Sequence, residues 1–261
     1  MQDYIIKCYE EYKIFMDIKE DILPKILPVM ETYTNTYAYI NGDEIDNNPR
    51  NLYYNVNLNQ KREDFVKAIL FHEFTHLLDE AVLSKQYFGK EYDIIMSTYS
   101  EYHASQIELA CKVGFKNIHS LHKINLSKTI VPCEDKTQNI QDDYIQPMSD
   151  ASIIIDKPQG YYYNLSAEKY YETYKIFSTK TMYYLGKNNF CKKFSQNKIA
   201  DITASIYGEF YPLIHEIEKC ILNKNYDNLP TLHNQLFNKF LSAYPLKDDA
   251  LNVLNQSLYV Q

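Results

Sequence analysis

Residues 71–76, FHEFTH, place two histidines and a glutamate inside a very apolar stretch of the chain, VKAILFHEFTHLL. Successive residues of an α-helix are about 100° apart, so His72 and His76 would point within roughly 40° of each other. Two imidazoles at this spacing can share one metal ion, and Glu73 lies to the side, where it can reach a water molecule at that metal. The pattern HExxH therefore predicts two zinc ligands and the general base of a hydrolase.

The residues around this motif predict a buried helix whose polar side opens onto a cleft. Burying two imidazoles and a carboxylate without partners would cost several kcal/mol, and a metal ion supplies a partner. The alternative is a chance match in which the histidines are hydrogen-bonded in the core without a metal. The apolar residues that cover most of the helix circumference are Val66, Ile69, Leu70, Phe74, Leu77 and Leu78.

A third metal ligand must come from outside the motif, since a catalytic zinc site takes three protein ligands and keeps one open position. A metzincin site is excluded, because Asp79 and Val82 stand where its glycine and its third histidine would be. The next candidates lie in STYSEYHASQIELA, residues 97–110, where Glu101 and Glu108 would share one face of a second helix.

The segments HEFTH (72–76) and SEYHA (100–104) together resemble the gluzincin group of zinc metallopeptidases. In that group a glutamate on the helix after the HExxH helix completes the ligand set, which here implies Glu101. Glu108, one heptad further on, stays as the alternative. The resemblance covers roughly residues 50–112 and implies a Zn²⁺ cofactor and a peptide or protein substrate.

The small intracellular ImmA/IrrE-like peptidases also pair HExxH with a glutamate on the next helix. In them the second helix continues with Phe-Ala and ends at Leu-Leu-Met-Pro, whereas this chain has Ser105-Gln106 and no such ending. The resemblance therefore implies the ligand set but not the cleavage of a repressor. An association with a phage or mobile element is expected by this analogy alone.

Two further polar residues near the motifs are candidates for supporting roles. Asp79 is expected on the same face as both histidines, where it would orient one of them or form an ordinary wet edge of the helix. His103 is a candidate catalytic residue that stabilises an oxyanion, and the alternative is a polar residue whose hydrogen bonds are satisfied elsewhere.

Other aromatic and histidine residues have weaker signals. His119 and His122 are predicted to cap carbonyls at the end of the second helix. The alternative is a metal site, since two histidines three residues apart can share an ion, but no third ligand is near in the sequence. His215 and the tyrosines of 161–163 are either core residues or donors to a transition state.

The scarcity of glycine and of alternating runs predicts a mainly helical protein. Together with the gluzincin resemblance, this implies a mainly α (α+β) fold: a zincin-like pair of helices with a small Tyr-rich sheet, followed by a helical region. The HExxH helix is predicted from about residue 60, capped by Asn57 or Asn59, to residue 83. The second helix is predicted from about 96–100 towards 122. Strands are predicted at 36–40 and 52–58. The gluzincin resemblance implies that the second of them is the edge strand that lines the cleft and pairs with extended peptides.

The chain divides by prediction into a metallopeptidase core (1–125), a long connection (126–160) with a short strand at 152–155, and a C-terminal helical region (161–261). An N-terminal amphipathic helix precedes a stretch that Pro24 and Pro28 interrupt. Helices in the last region are predicted at 166–186, 197–223, 229–243 and 246–258, with Ser166 as a cap and Gly186 as a stop.

Composition excludes several classes of protein. A net charge of -7 without a basic stripe argues against nucleic-acid binding. No run approaches 18 apolar residues, so no membrane span is expected. Five dispersed cysteines and an acidic N-terminal sequence indicate reduced thiols in a cytoplasmic protein. The oligomeric state stays open.

Two functions fit these observations. The first is a zinc metallopeptidase with His72, His76 and Glu101 as ligands and Glu73 as general base. The second is a non-catalytic, zinc-binding helical interaction protein, whose structural site would need a fourth ligand.

Overall fold

The computed structural model describes residues 1–30, 37–41, 51–199 and 201–260. It is mainly helical with a small sheet, which confirms the predicted fold class. The helices in chain order are α1 Gln2–Met16, α2 Glu63–Leu83, α3 Gly89–Ile95, α4 Glu101–Lys112, α5 Ile140–Ile155, α6 Gln159–Tyr163, α7 Ala167–Phe194, α8 Thr203–Tyr207, α9 Tyr211–Leu222, α10 Leu229–Ala243 and α11 Asp248–Val260. The strands are β1 Lys25–Val29, β2 Ala38–Asn41, β3 Asn51–Asn55, β4 Ile130–Cys133 and β5 Lys136–Asn139.

The chain forms two compact units, each assembled from separated segments of the sequence. Unit 1 comprises Met1–Gln86, Tyr102–Tyr144 and Gly186–Ile199, and unit 2 comprises Tyr87–Glu101, Ile145–Leu185 and Ala200–Gln261. Because α5 and α7 contribute to both units, neither unit is a contiguous piece of sequence. The assignment of residues 1–125 as a metallopeptidase core remains a prediction.

The N-terminal helix α1 packs against α2 within unit 1. Its apolar face is buried as predicted, and its rings meet those of α2 edge to face, with Tyr9 on Phe74 and Tyr12 on Phe71. The hydroxyl of Tyr12 also donates to Thr75 Oγ1 at 3.2 Å. This packing holds α2, the helix that carries the HExxH motif, against α1.

The three-stranded sheet has the order β1-β3-β2, with β1 parallel and β2 antiparallel to β3. Strand β1 is not predicted by the sequence, in which Pro24 and Pro28 suggest breaks, but proline is tolerated on an edge strand. The prediction that 52–58 is an edge strand is wrong. Both sides of β3 are paired, so it has no free edge for a peptide, and a 3-10 turn, Val56–Gln60, replaces its predicted end.

The HExxH helix starts later than predicted and the second helix ends earlier. The residue before α2 is Arg62, while Asn55 caps the preceding 3-10 turn by accepting from the Asn57 amide. Helices α3 and α4 are joined by a π-helical turn, Met96–Ser100, so the second helix is continuous from residue 89 to residue 112. It ends where Gly114 takes the left-handed φ of 78°, as glycine readily does.

Because α4 ends at Lys112, the predicted capping role of His119 and His122 is wrong. Both histidines lie in the exposed segment that follows, where the His119 amide donates to Asn117 Oδ1.

The segment predicted as a long connection contains regular structure. Strands β4 and β5 form an antiparallel hairpin that leads directly into α5. The predicted strand at 152–155 is wrong, since these residues form the last turn of α5. A short apolar run such as SIII does not by itself distinguish a strand from a buried helical turn.

Helix α7 is 28 residues long and passes straight through the predicted stop at Gly186. Its start is as predicted, since the Lys169 amide donates to Ser166 Oγ at 3.3 Å. The predicted helix 197–223 is split into α8 and α9 around Gly208, whose φ is 50°. The predicted helix at 229–243 coincides with α10, and α11 is two residues later than predicted.

The five cysteines all lie in described ranges and are free thiols. Within those same ranges, no helix combines the length and apolar character needed to cross a bilayer.

Candidate metal centre

Helix α2 carries the HExxH motif in the middle of its 21 residues. Glu63 and Asp64 in its first turn suit the positive end of the helix dipole. His72 is buried, whereas Glu73 and His76 are only partly covered. The predicted burial of the helix is confirmed, and its polar side retains some access to solvent.

The two histidines of the motif turn the same ring nitrogen towards each other. The Nε2 atoms of His72 and His76 are 3.0 Å apart, and their rings are nearly perpendicular at 82°. Glu101 completes the group, since one ligand atom from each of the three side chains lies within 4.8 Å of the others. Glu101 is the first residue of α4.

This group has a suitable donor set and spacing for a metal ion. Zinc binds histidine nitrogen at about 2.0–2.1 Å, so two donors of a tetrahedral ion are separated by roughly 3.3 Å. The observed 3.0 Å between the Nε2 atoms is close to that value. His72, His76 and Glu101 could therefore hold a metal ion after only small side-chain movements.

Glu108, the alternative third ligand, lies on the other side of the His72 ring. Its Oε2 atom is 3.4 Å from His72 Nδ1, while Nε2 faces the three-residue group. Its Oε1 atom contacts Lys112 Nζ at 2.6 Å. Glu108 is thus placed to support a ligand from behind, as a carboxylate often does for a metal-binding histidine.

Glu108 belongs to a buried cluster of four charged side chains, which also contains Lys112, Asp143 and Lys187. Each of these side chains is between 4% and 6% exposed. Burial favours a neutral acid, but the charges of Lys112 and Lys187 outweigh it and hold the pKa of Glu108 well below its usual range. The same two lysines lower the pKa of Asp143 against the effect of burial.

The same interactions hold Lys112 in its charged form. Burial alone would lower the pKa of Lys112, yet the adjacent carboxylates of Glu108 and Asp143 raise it above the ordinary value. The two carboxylates and two lysines of the cluster sum to zero formal charge, and buried ions are tolerated when they are paired in this way.

A second carboxylate–histidine pair joins α2 to α4. The Nδ1 atom of His103 donates to Asp79 Oδ1 at 2.8 Å. Burial lowers the pKa of His103, but the charge and hydrogen bond of Asp79 more than offset it and raise that pKa. The histidine that hydrogen-bonds to Asp79 here is thus His103, and the predicted oxyanion role of His103 stays a prediction.

The two remaining sets of candidates lie in unit 2. His215 is not a core residue, because its side chain is 40% exposed and stacks on Tyr211. Tyr162 is fully buried and its hydroxyl donates to the backbone carbonyl of Ile154, while Tyr161 and Tyr163 are exposed. Tyr162 therefore has a structural role.

Sequence reasoning missed three members of the charged cluster. Lys112 could have been found, because it follows Glu108 by four residues on one helix. Asp143 and Lys187 come from α5 and α7, far away in the sequence, and no local pattern connects them to the motif.

Comparisons with known proteins return no match to any family model, curated protein or solved structure.

Proposed function

We propose that this protein is a zinc-dependent metallopeptidase that hydrolyses peptide bonds. The observation that supports it best is the convergence of His72, His76 and Glu101, with Glu73 directly after the first of these ligands on α2. The resemblance of HEFTH and SEYHA to gluzincin motifs adds the expectation of a peptide or protein substrate.

The donor set favours zinc among the common divalent ions. Two imidazoles and one carboxylate are typical of catalytic zinc and leave one position of a tetrahedral ion open. Zinc held there would polarise the scissile carbonyl and lower the pKa of water to about 7.

The chain's own residues would move the protons. Glu73 is partly exposed beside His72, so its carboxylate can accept a proton from the attacking water and deliver it to the leaving amine. His103, held by Asp79 and with a raised pKa, is the candidate that stabilises negative charge on the carbonyl oxygen. General acid–base catalysis of this kind contributes roughly 100- to 10,000-fold to a rate.

The decisive experiment compares metal content and peptide cleavage in wild type, Glu73→Gln and Glu101→Ala. We expect one zinc per chain in wild type and in Glu73→Gln, and a large loss of zinc in Glu101→Ala. Cleavage of a mixed peptide library, followed by mass spectrometry, should fall by roughly 100- to 10,000-fold in Glu73→Gln. Glu80→Gln is the matched control, since it makes the same change two turns further along α2.

Full cleavage by Glu73→Gln, or no zinc in a folded wild type, would contradict the proposal. Stoichiometric zinc without cleavage of any peptide would favour the zinc-binding interaction protein instead.

A further inference from the structure

The carboxylate of Glu108 divides its two oxygens between different partners. Oε1 is 2.6 Å from Lys112 Nζ and 3.4 Å from Lys187 Nζ. Oε2 lies 3.4 Å from His72 Nδ1. Because Lys112 and Lys187 both contact Oε1, Oε2 remains available to His72.

Asp143 balances the second positive charge and fixes both lysines. It contacts Lys112 and Lys187 at 2.8 Å each, one oxygen to each amine. Taking each of these ions out of water costs several kcal/mol, so removing a single member would leave one buried charge without a partner. The position of Glu108 is therefore set by residues from α4, α5 and α7.

The contact with Glu108 favours a proton on one particular nitrogen of His72. The carboxylate oxygen 3.4 Å from Nδ1 can accept a hydrogen bond but not donate one, so this contact is favourable when Nδ1 carries the proton. A neutral His72 then has its lone pair on Nε2, the atom that faces His76 Nε2 at 3.0 Å. That lone pair is the one that a metal ion needs.

We propose that Glu108 is a positioning residue, which Lys112, Lys187 and Asp143 hold in place and which fixes His72 in the Nδ1–H tautomer with Nε2 ready for metal. This inference rests on the proposed metal centre, but not on peptidase activity. It extends the site to α5 and α7, beyond the segments that carry the motifs.

The test compares two double variants that leave the cluster with the same charge. Glu108→Gln with Lys187→Met retains the Asp143–Lys112 ion pair. Asp143→Asn with Lys187→Met retains the Glu108–Lys112 ion pair and the contact with His72. In the first variant Lys112 should attract the amide oxygen of the new glutamine and turn its NH₂ group, a donor, towards His72 Nδ1.

Zinc affinity of the purified full chain, measured by competition with a chelator, is the first readout. We expect the variant without Glu108 to bind Zn²⁺ roughly 10- to 100-fold more weakly than the variant without Asp143, as for other partners of metal-binding histidines. Equal affinities in the two folded variants would overturn the proposal.

Nitrogen chemical shifts of His72 in the metal-free protein are the second readout, and they need no cluster variant. Long-range proton–nitrogen spectra should show the Nδ1–H tautomer in wild type, with the signals assigned by their loss in His72→Gln. The Nε2–H tautomer in wild type would also overturn the proposal, even if a double variant fails to fold.

The outcomes separate this inference from the proposed function. Zinc binding without peptidase activity removes the enzyme proposal and leaves the role of Glu108 intact. Equal zinc affinities alongside peptidase activity remove the role of Glu108 alone. A wild type that binds no zinc removes both.

Discussion

The interiors of the two units are built from different chemistry. Beside His72, unit 1 buries an ionised cluster of two carboxylates and two lysines. Unit 2 buries a cluster of aromatic rings around Phe240. The centroid of each ring in this cluster lies within 6.2 Å of the centroid of the Phe240 ring. The rings in that cluster are Tyr162, Tyr170, Tyr174, Phe177, Phe210 and Tyr244.

The polar atoms of the aromatic cluster are satisfied without any charge. The hydroxyl of Tyr170 donates to the Tyr244 carbonyl at 2.9 Å, and that of Tyr174 donates to the His233 carbonyl at 3.2 Å. Burial strongly raises the pKa of Tyr174, so its phenol stays neutral. Packing of uncharged rings thus stabilises unit 2, whereas unit 1 buries charged groups beside the candidate ligand His72.

The largest change in unfolding free energy is expected for Phe240→Ala in unit 2. Removing a fully buried ring from the centre of the cluster should cost about 3–5 kcal/mol of unfolding free energy. Chemical denaturation followed by circular dichroism measures this loss. Ile153→Ala, at a residue of unit 2 that is 58% exposed, is the control and should change stability by less than about 0.5 kcal/mol. Similar losses in both variants would remove the ring cluster as the source of stability.

Acid should destabilise unit 2 through His233, a histidine beside this cluster. Burial lowers its pKa to about 4, whereas an unfolded histidine has a pKa of about 6.5. The unfolded chain binds the proton more readily than the folded chain does. The contribution of neutral His233 to the unfolding free energy is therefore fully present above pH 6.5 and is lost as the pH falls towards 4. The loss is up to about 3 kcal/mol.

The measurement for His233 is unfolding free energy against pH in wild type and in His233→Phe, which keeps a ring against Tyr174. The variant should lack this part of the acid sensitivity. Parallel pH curves for the two proteins would contradict the assignment.

The smallest expected effect concerns unit 1, at the point where α7 crosses α4. A Cβ atom on Gly186 would be 2.1 Å from Ser105 Oγ and 2.2 Å from the Tyr102 carbonyl oxygen. Gly186→Ala should therefore cost about 1–3 kcal/mol by overpacking. Gly160→Ala, in a helix where the added methyl meets nothing within 4 Å, is the matched control and should be neutral or stabilising. Thermal unfolding compares them, and an unchanged midpoint for Gly186→Ala would show that the two helices can separate at no cost.

Local patterns in the sequence were enough to predict several helices and two residues of the candidate metal centre. The spacing of His72 and His76 and the apolar residues around them were enough to predict a buried helix with two converging imidazoles, because a helix fixes the angle between residues four apart. The apolar face of α1, the cap at Ser166 and the helix at 229–243 follow from the same short-range rules.

Only the tertiary structure decided the rest, because those features depend on residues that the sequence keeps far apart. Glu101 and Glu108 share one helix face, and only the packing of α4 against α2 shows that they meet different sides of the candidate ligand His72. In the sequence, Gly186 suggests the end of a helix. In the structure it lies within α7 and, because it has no side chain, allows α7 to pass close to α4. The ion pairs of Asp143 and Lys187 likewise form across long separations in sequence, where no periodicity exists to predict them.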